Sequence, residues 1–264
     1  MKLSVVIPAH NEEGCIESTL LAFHAKLIEE EIPFEIVVVN DNSTDDTETI
    51  LKRLSRKKGI RYINNVPPNG FGFAIRKGLE SFKGDAVATV MADASDSPED
   101  LVRYYRKMEE GFDCVFGTRW SQGGRTYDYP PVKKVLNRIF NTMIQVIMQL
   151  PYNDVTNAFK LYRKEVIQGV APLLSSHYNL TVEIPLKAII RGYSYAVVSN
   201  SWTNRTAGVS KLKLKEMGSR YLFILLYCLI EKWLSCKDYY RDRVQENELD
   251  ATSDTDNTKT NPTT

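Results

Sequence analysis

Apolar positions follow two alternating rhythms along the first part of the chain. Continuous β-branched runs at Leu3–Ile7 (LSVVI) and Phe34–Val39 (FEIVVV) predict short strands buried on both faces, as in the interior of a parallel sheet. Between them Ile16, Leu20, Phe23, Leu27 and Ile28 recur at helical spacing, which predicts one buried stripe within Glu13–Glu31. The three segments make a βαβ unit with its strands as parallel neighbours. The alternation continues through a helix at Asp45–Lys57, a strand at Ile60–Ile63, a helix after Gly70, a strand at Ala86–Met91, a helix at Pro98–Glu110 and a strand at Cys114–Phe116. A doubly wound, mostly parallel α/β sheet is the fold this rhythm predicts.

Past Gly117 the rhythm breaks at Gly123, Gly124, Pro130 and Pro131. A long apolar-periodic helix over Val132–Leu150 follows, then a strand at Ala158–Tyr162, a helix at Val182–Ile190, a strand at Tyr195–Ser199 and a last helix from about Leu214 to Leu234. The break places a boundary near residue 120, giving parts at 1–120 and 121–236. The remainder, 237–264, is Thr-, Asn- and Asp-rich and is expected to be disordered, because too little apolar surface is present to offset the entropy of ordering.

Charge narrows the partners. With 34 Lys+Arg against 33 Asp+Glu there is no global field for a polyanion, so nucleic acid is not an expected partner. The four cysteines are scattered and only three histidines exist, so zinc-site spacing is absent and a reducing compartment fits. Met1–Pro8 lacks the signal-peptide pattern, and a cytoplasmic location is expected. Tyr221–Leu234 is interrupted by Glu231 and Lys232 and is shorter than the roughly 20 residues of a spanning helix. It is expected to be either a buried terminal helix or an interfacial one lying peripherally on the cytoplasmic membrane face, and Val132–Leu150 carries the same alternatives. Either helix is also a candidate homodimer surface.

In a doubly wound sheet, ligands bind beyond the carboxyl ends of the strands, and polar residues gather there: PAHNE (Pro8–Glu12), NDNSTD (Asn40–Asp45) and ADASD (Ala92–Asp96). Asp41 is a candidate for a ribose hydroxyl or base edge, while Ser43 and Thr44 suit helix capping. The dinucleotide fingerprint GxGxxG is missing, with Pro8 where its first glycine would stand, which argues against a nicotinamide enzyme. Asp93 and Asp96 are hard oxygen donors suited to a divalent ion bridging a diphosphate; for Asp96, capping of the helix begun by Ser97–Pro98 is the alternative. Asn69-Gly70-Phe71-Gly72 opens a helix with glycines that let backbone approach an anion.

Taken in order, these motifs resemble the family 2 glycosyltransferases of A-type fold, and within them the dolichol-phosphate mannose synthase-like branch. The carrying residues are SVVIPAHNE (from Ser4), VVVNDNSTDDT (from Val37), NGFGFAIRKG (from Asn69), VMADASDSPED (from Val90), FGTRW (from Phe116), DVTNAFKLYR (from Asp154), Glu183 in LTVEIPLKA and NRTAGVSKL (from Asn204), spanning roughly residues 2 to 212. The resemblance implies inverting sugar transfer from a GDP- or UDP-sugar to a polyprenyl or dolichyl phosphate, with Mg²⁺ or Mn²⁺ at the diphosphate. A saccharide acceptor, as in surface polysaccharide synthesis, and a non-catalytic nucleotide-sugar-binding role are the alternatives. It further implies that residues 1–120 bind the nucleotide-sugar and 121–236 the acceptor. Pro8, Ala9, Asn11, Glu12 and Asp41 would face the nucleotide, beside the Asn69–Gly70 turn. Asp93 and Asp96 would hold the metal, Arg119 would sit near the donor phosphates, and Arg205, Ser210 and Lys211 would meet donor or acceptor phosphate. A sugar hydroxyl as acceptor would need a carboxylate base, for which Asp154 and Glu183 are the candidates. The sequence departs from the family pattern in two places: Asn40 replaces the first of a pair of acids, and Asp93-Ala94-Ser95-Asp96 replaces the acid-any-acid motif, which implies a variant metal site.

Overall fold

Strand β1 (Leu3–Ala9) is buried at every position, as its β-branched run requires, and pairs in parallel with β2 (Phe34–Asn40) from Leu3 opposite Phe34 to Ala9 opposite Asn40. The computed structural model describes residues 1–205 and 214–241. Strands β3 (Ile60–Asn64), β4 (Ala86–Thr89), β5 (Cys114–Thr118), β7 (Lys160–Arg163) and β8 (Tyr195–Ser199) complete a seven-stranded sheet of order β3-β2-β1-β4-β7-β5-β8. All pairs are parallel except those of β7, which runs antiparallel to both β4 and β5. Two short strands, β6 (Arg125–Tyr127) and β9 (Ser201–Thr203), form a separate parallel pair.

Period-two alternation sends the strands' side chains to opposite cores. Leu3, Val5 and Ile7 pack with Leu20 and Phe23 of α1 (Ile16–Glu29) and with Leu101 and Tyr104 of α4 (Pro98–Glu109). Val6 and Val37 face the other way, into a core shared by Ile75 and Leu79 of α3 (Phe71–Ser81), Ile144 of α5 (Pro131–Met148), Leu186 of α7 (Leu180–Ile190) and Ile224 of α8 (Leu214–Leu234). Each fully buried Leu, Ile or Val contributes about 1.5–3 kcal/mol, so the two cores fix the sheet from both sides. Helices α2 (Thr47–Leu54) and α6 (Lys164–Gly169) are short connectors.

Residues on both sides of the boundary expected near 120 share one sheet, because β7 and β8 belong to the later part. The Gly- and Pro-rich break is a loop carrying β6. The expected disorder from residue 237 needs correction at its start. Arg241 donates its backbone N–H to the Arg191 carbonyl (2.9 Å) and its guanidinium to Asp113 (2.7 Å), and the Tyr240 ring stacks close to Gly192. Aromatic rings and an arginine dock this stretch despite its polar composition; residues 242–264 lie outside the described residues.

Among the described residues no helix is long and apolar enough to cross a membrane. Helix α8 buries Ile224, Leu225 and Cys228 and exposes Leu222, Phe223, Leu226, Ile230, Trp233 and Leu234. It packs against α5, which exposes Val132, Val135, Leu136, Ile139 and Val146.

Candidate functional site

The strand-end loops are held in a tight rim. Beyond β1, β2 and β4 the chain turns through Asn11 (φ 52°), Asn42 (φ 57°) and Ala94 (φ 58°), all in the left-handed region. Two of these are asparagines, which tolerate it; Ala94 does not tolerate it so readily. We expect Ala94→Gly to stabilise the fold by about 1 kcal/mol, raising Tm by roughly 2–4 °C in thermal denaturation.

Asn11 ties the first two loops together. Its Oδ1 accepts the Thr44 N–H (2.7 Å) and its N–H donates to Ser43 Oγ (3.1 Å). Asn11, expected to face the nucleotide, does not itself line the cavity that its neighbours form. Ser43 and Thr44 serve this tie and do not cap α2. Asp41, buried, accepts from Asn65 Nδ2 and from the Gly70 N–H, each at 2.8 Å, and so clamps the glycine turn against the end of β2.

Two chambers open at this rim. The smaller, about 420 Å³, is lined by Pro8, Ala9, Glu12, Asp41, Asn69, Gly70 and Asp93, among others. The larger, about 610 Å³, lies between the sheet and helices α5 and α8; Asp93, Asp96, Arg119 and Arg205 line its polar end and Leu136, Ile139, Phe140, Met143 and Tyr221 its apolar end. Met91, Asp93, Tyr178 and Arg205 line both and form the junction. Lys211 and Ser210 lie outside the described residues.

At the junction Asp93 Oδ1 accepts the Ser95 N–H (3.2 Å) and Oδ2 takes Arg205 Nη2 (2.6 Å), while Arg205 Nη1 lies 3.7 Å from Glu12. Asp96 does not cap α4; Ser97 Oγ does, accepting the Asp100 N–H (3.4 Å). Asp96 Oδ2 instead accepts the Met91 N–H (2.9 Å), and burial, reinforced by the charge of Asp93, pushes its pKa up to about 7. Two buried acids stand close together, one already drawing in a guanidinium, which is the electrostatic setting a divalent cation relieves. The donor set therefore fits such an ion, with Asp93 and Asp96 as hard oxygen ligands and room for ligand phosphates. Among the described residues there is no group of three or more His, Cys, Asp or Glu arranged to hold a metal unaided.

Arg119 is buried and locked to Asp154: Nε and Nη2 donate to the carboxylate at 2.8 and 2.7 Å, and the Arg119 N–H adds a third bond at 3.0 Å. Burial works against the guanidinium's charge, but Asp154 outweighs it and the pKa is raised. Glu183, also fully buried, accepts the N–H groups of Leu174 and Ser175 (2.7 Å each) and pairs with Lys187 (2.8 Å). Burial opposes its charge too, yet these partners hold its pKa below the usual value. Neither carboxylate lines either chamber, so the expectation of Asp154 or Glu183 as a general base is corrected: one positions Arg119, the other the 174–178 segment.

That segment brings residues no motif announced. Tyr178 stacks on Phe71 (ring centroids 4.3 Å apart, 17° between planes) and forms the wall between the chambers. Gly72 permits this approach, since a Cβ there would stand 2.3 Å from the Ser176 carbonyl carbon. Gly72→Ala is expected to push α3 off the segment, costing about 1–3 kcal/mol by overpacking and weakening nucleotide binding in titration calorimetry. Trp202 reaches the larger chamber through a bridge between its backbone and that of Asp96. Tyr178 and Trp202 each stand two residues before a stretch that carries the family resemblance, LTVEIPLKA and NRTAGVSKL, and neither is itself singled out by a motif.

The mostly parallel seven-stranded sheet, with a chamber at its strand ends and a second beside it, has the architecture of the A-type glycosyltransferase fold, as its match to solved structures shows. The profile described as Glycosyl transferase family 2 matches residues 4–170, and the chain belongs to that family. It is 30% identical over 221 residues to a dolichol-phosphate mannosyltransferase of Pyrococcus furiosus, covering 82% of this chain and 61% of that protein. It is 27% identical over 215 residues to a polyprenol monophosphomannose synthase of Mycolicibacterium smegmatis, covering 79% and 80%. The fold matches glucosyl-3-phosphoglycerate synthase of Mycobacterium tuberculosis crystallised with Mn²⁺, UDP and phosphoglyceric acid, at TM-score 0.66 and 20% identity, over 86% of this chain and 78% of that one.

Proposed function

We propose that this chain transfers a sugar, with inversion, from a GDP- or UDP-sugar in the smaller chamber to the phosphate of a polyprenyl lipid in the larger. The observation that carries this reading is the meeting of a polar chamber and a chamber with an apolar end at Asp93 and Arg205. The names of the two relatives support the same acceptor class.

Pro8, Ala9, Glu12, Asp41 and the Asn69–Gly70 turn hold the nucleotide. Asp93 and Asp96 hold Mg²⁺ or Mn²⁺, which when bound neutralises the diphosphate leaving group. Arg119, kept in place by Asp154, and Arg205 orient the acceptor phosphate and offset its charge. A lipid phosphate is already an anionic nucleophile at neutral pH, so positioning and charge stabilisation suffice. The engagement of Asp154 and Glu183 in structural ion pairs favours this acceptor over a sugar hydroxyl, which would need a base. The outer apolar faces of α5 and α8 rest peripherally on the membrane, where such lipids reside. A homodimer would use the same faces, and vesicle flotation against concentration-dependent mass separates the two.

The test is a transfer assay with the full chain, Mn²⁺, a panel of GDP- and UDP-sugars and a short polyprenyl phosphate. Lipid-linked sugar plus free nucleoside diphosphate is the expected result. Transfer only to added glycans would move the assignment to a saccharide acceptor, and donor binding without turnover would leave a nucleotide-sugar-binding protein.

A further inference from the structure

Arg205 is, among the described residues, the one arginine or lysine that lines both chambers. Its guanidinium is half of an ion pair with a carboxylate that is itself suited to a metal. Nη2 sits 2.6 Å from Asp93 Oδ2, the oxygen not occupied by the Ser95 N–H, and Nη1 leans toward Glu12 at 3.7 Å. The three side chains are 18%, 8% and 11% exposed, so the pair is only weakly screened. A divalent cation on Asp93 would face the guanidinium at close range, and two cations on one weakly screened carboxylate oxygen repel each other strongly.

We propose that Arg205 occupies the cation's seat on Asp93, and that metal binding expels it toward the junction, where it becomes available to phosphate. This rests on the proposed metal role of Asp93 and adds a competition that the role alone does not contain. In the absence of metal, Arg205 neutralises Asp93 at the junction of the two chambers. On metal binding the carboxylate exchanges one positive partner for another. The displaced guanidinium then lies among anionic ligands, with Glu12 at its flank. Metal loading on the donor side and delivery of a cation to the acceptor side are thus one exchange.

The experiment is a Mn²⁺ titration of the full chain, followed by electron paramagnetic resonance of free Mn²⁺, with and without saturating GDP or UDP. Arg205→Gln is expected to bind Mn²⁺ about fivefold more tightly than the unaltered protein, the scale of one removed ion-pair competitor. Arg205→Lys, which retains the charge, is expected to stay near the original affinity, and circular dichroism confirms that each variant is folded. Unchanged or weaker Mn²⁺ binding in Arg205→Gln, with binding abolished in Asp93→Ala, would overturn the competition and leave the metal role standing. Intact Mn²⁺ binding in Asp93→Ala would overturn the metal role and the exchange with it.

Discussion

Asp93→Ala is expected to lower kcat/KM for sugar transfer by about 10³-fold, with Tm changed by no more than a few degrees. The carboxylate stands where the two chambers meet, so its loss would remove the proposed metal ligand and the Asp93–Arg205 ion pair together. The structural cost is small because Arg205 retains Glu12 nearby and some access to water. Asp93→Asn sharpens the test. An amide oxygen can still accept the Ser95 N–H, so the turn persists while the charge is gone, and activity is expected to fall nearly as far. Activity within tenfold of the original in either variant would remove Asp93 from the chemistry.

The second large effect is on stability. Asp154→Ala leaves Arg119 as an unpaired cation in a buried site and is expected to cost about 3–5 kcal/mol, lowering Tm by roughly 10 °C. Three hydrogen bonds converge on this carboxylate, one of them from the Arg119 backbone, so the loss also loosens the end of β5. Replacing both partners by leucine is expected to recover much of the stability but not the activity, since neither member of the pair is then left buried without the other. A single Asp154→Ala variant melting within 2 °C of the original, by the same scale, would show that the pair contributes little.

Much of this was legible in the chain because the first half obeys local rules. LSVVI and FEIVVV are strands buried on both faces, and their β-branched continuity says so without tertiary information. The acids of the rim were legible through the rule that ligands gather at strand ends. What was not legible is tertiary. Nothing in KLYR (Lys160–Arg163) states that β7 inserts antiparallel between β4 and β5, because ladder order depends on partners far away in sequence. The three-residue strands β6 and β9 are too short to show a period. Asp96 reads from the sequence as either a metal ligand or a helix cap, and the hydrogen bonds assign the cap to Ser97 instead. Asp154 and Glu183 have the residue type of a base, but their burial and partners make them positioning groups. Asn11 is grouped with Pro8, Ala9 and Glu12 by the motif alone, yet its left-handed turn directs its side chain to the next loop.

The most direct test of the two-chamber account is photo-crosslinking with a short polyprenyl phosphate bearing a diazirine in its first isoprene units, in the presence of Mn²⁺ and GDP or UDP. Adducts mapped by mass spectrometry are predicted at the half-buried lining residues Phe140, Met143 and Tyr221, and excess unlabelled lipid phosphate should suppress them. Adducts confined to the outer faces of α5 and α8, or unaffected by competing lipid phosphate, would contradict the placement of the acceptor between these helices.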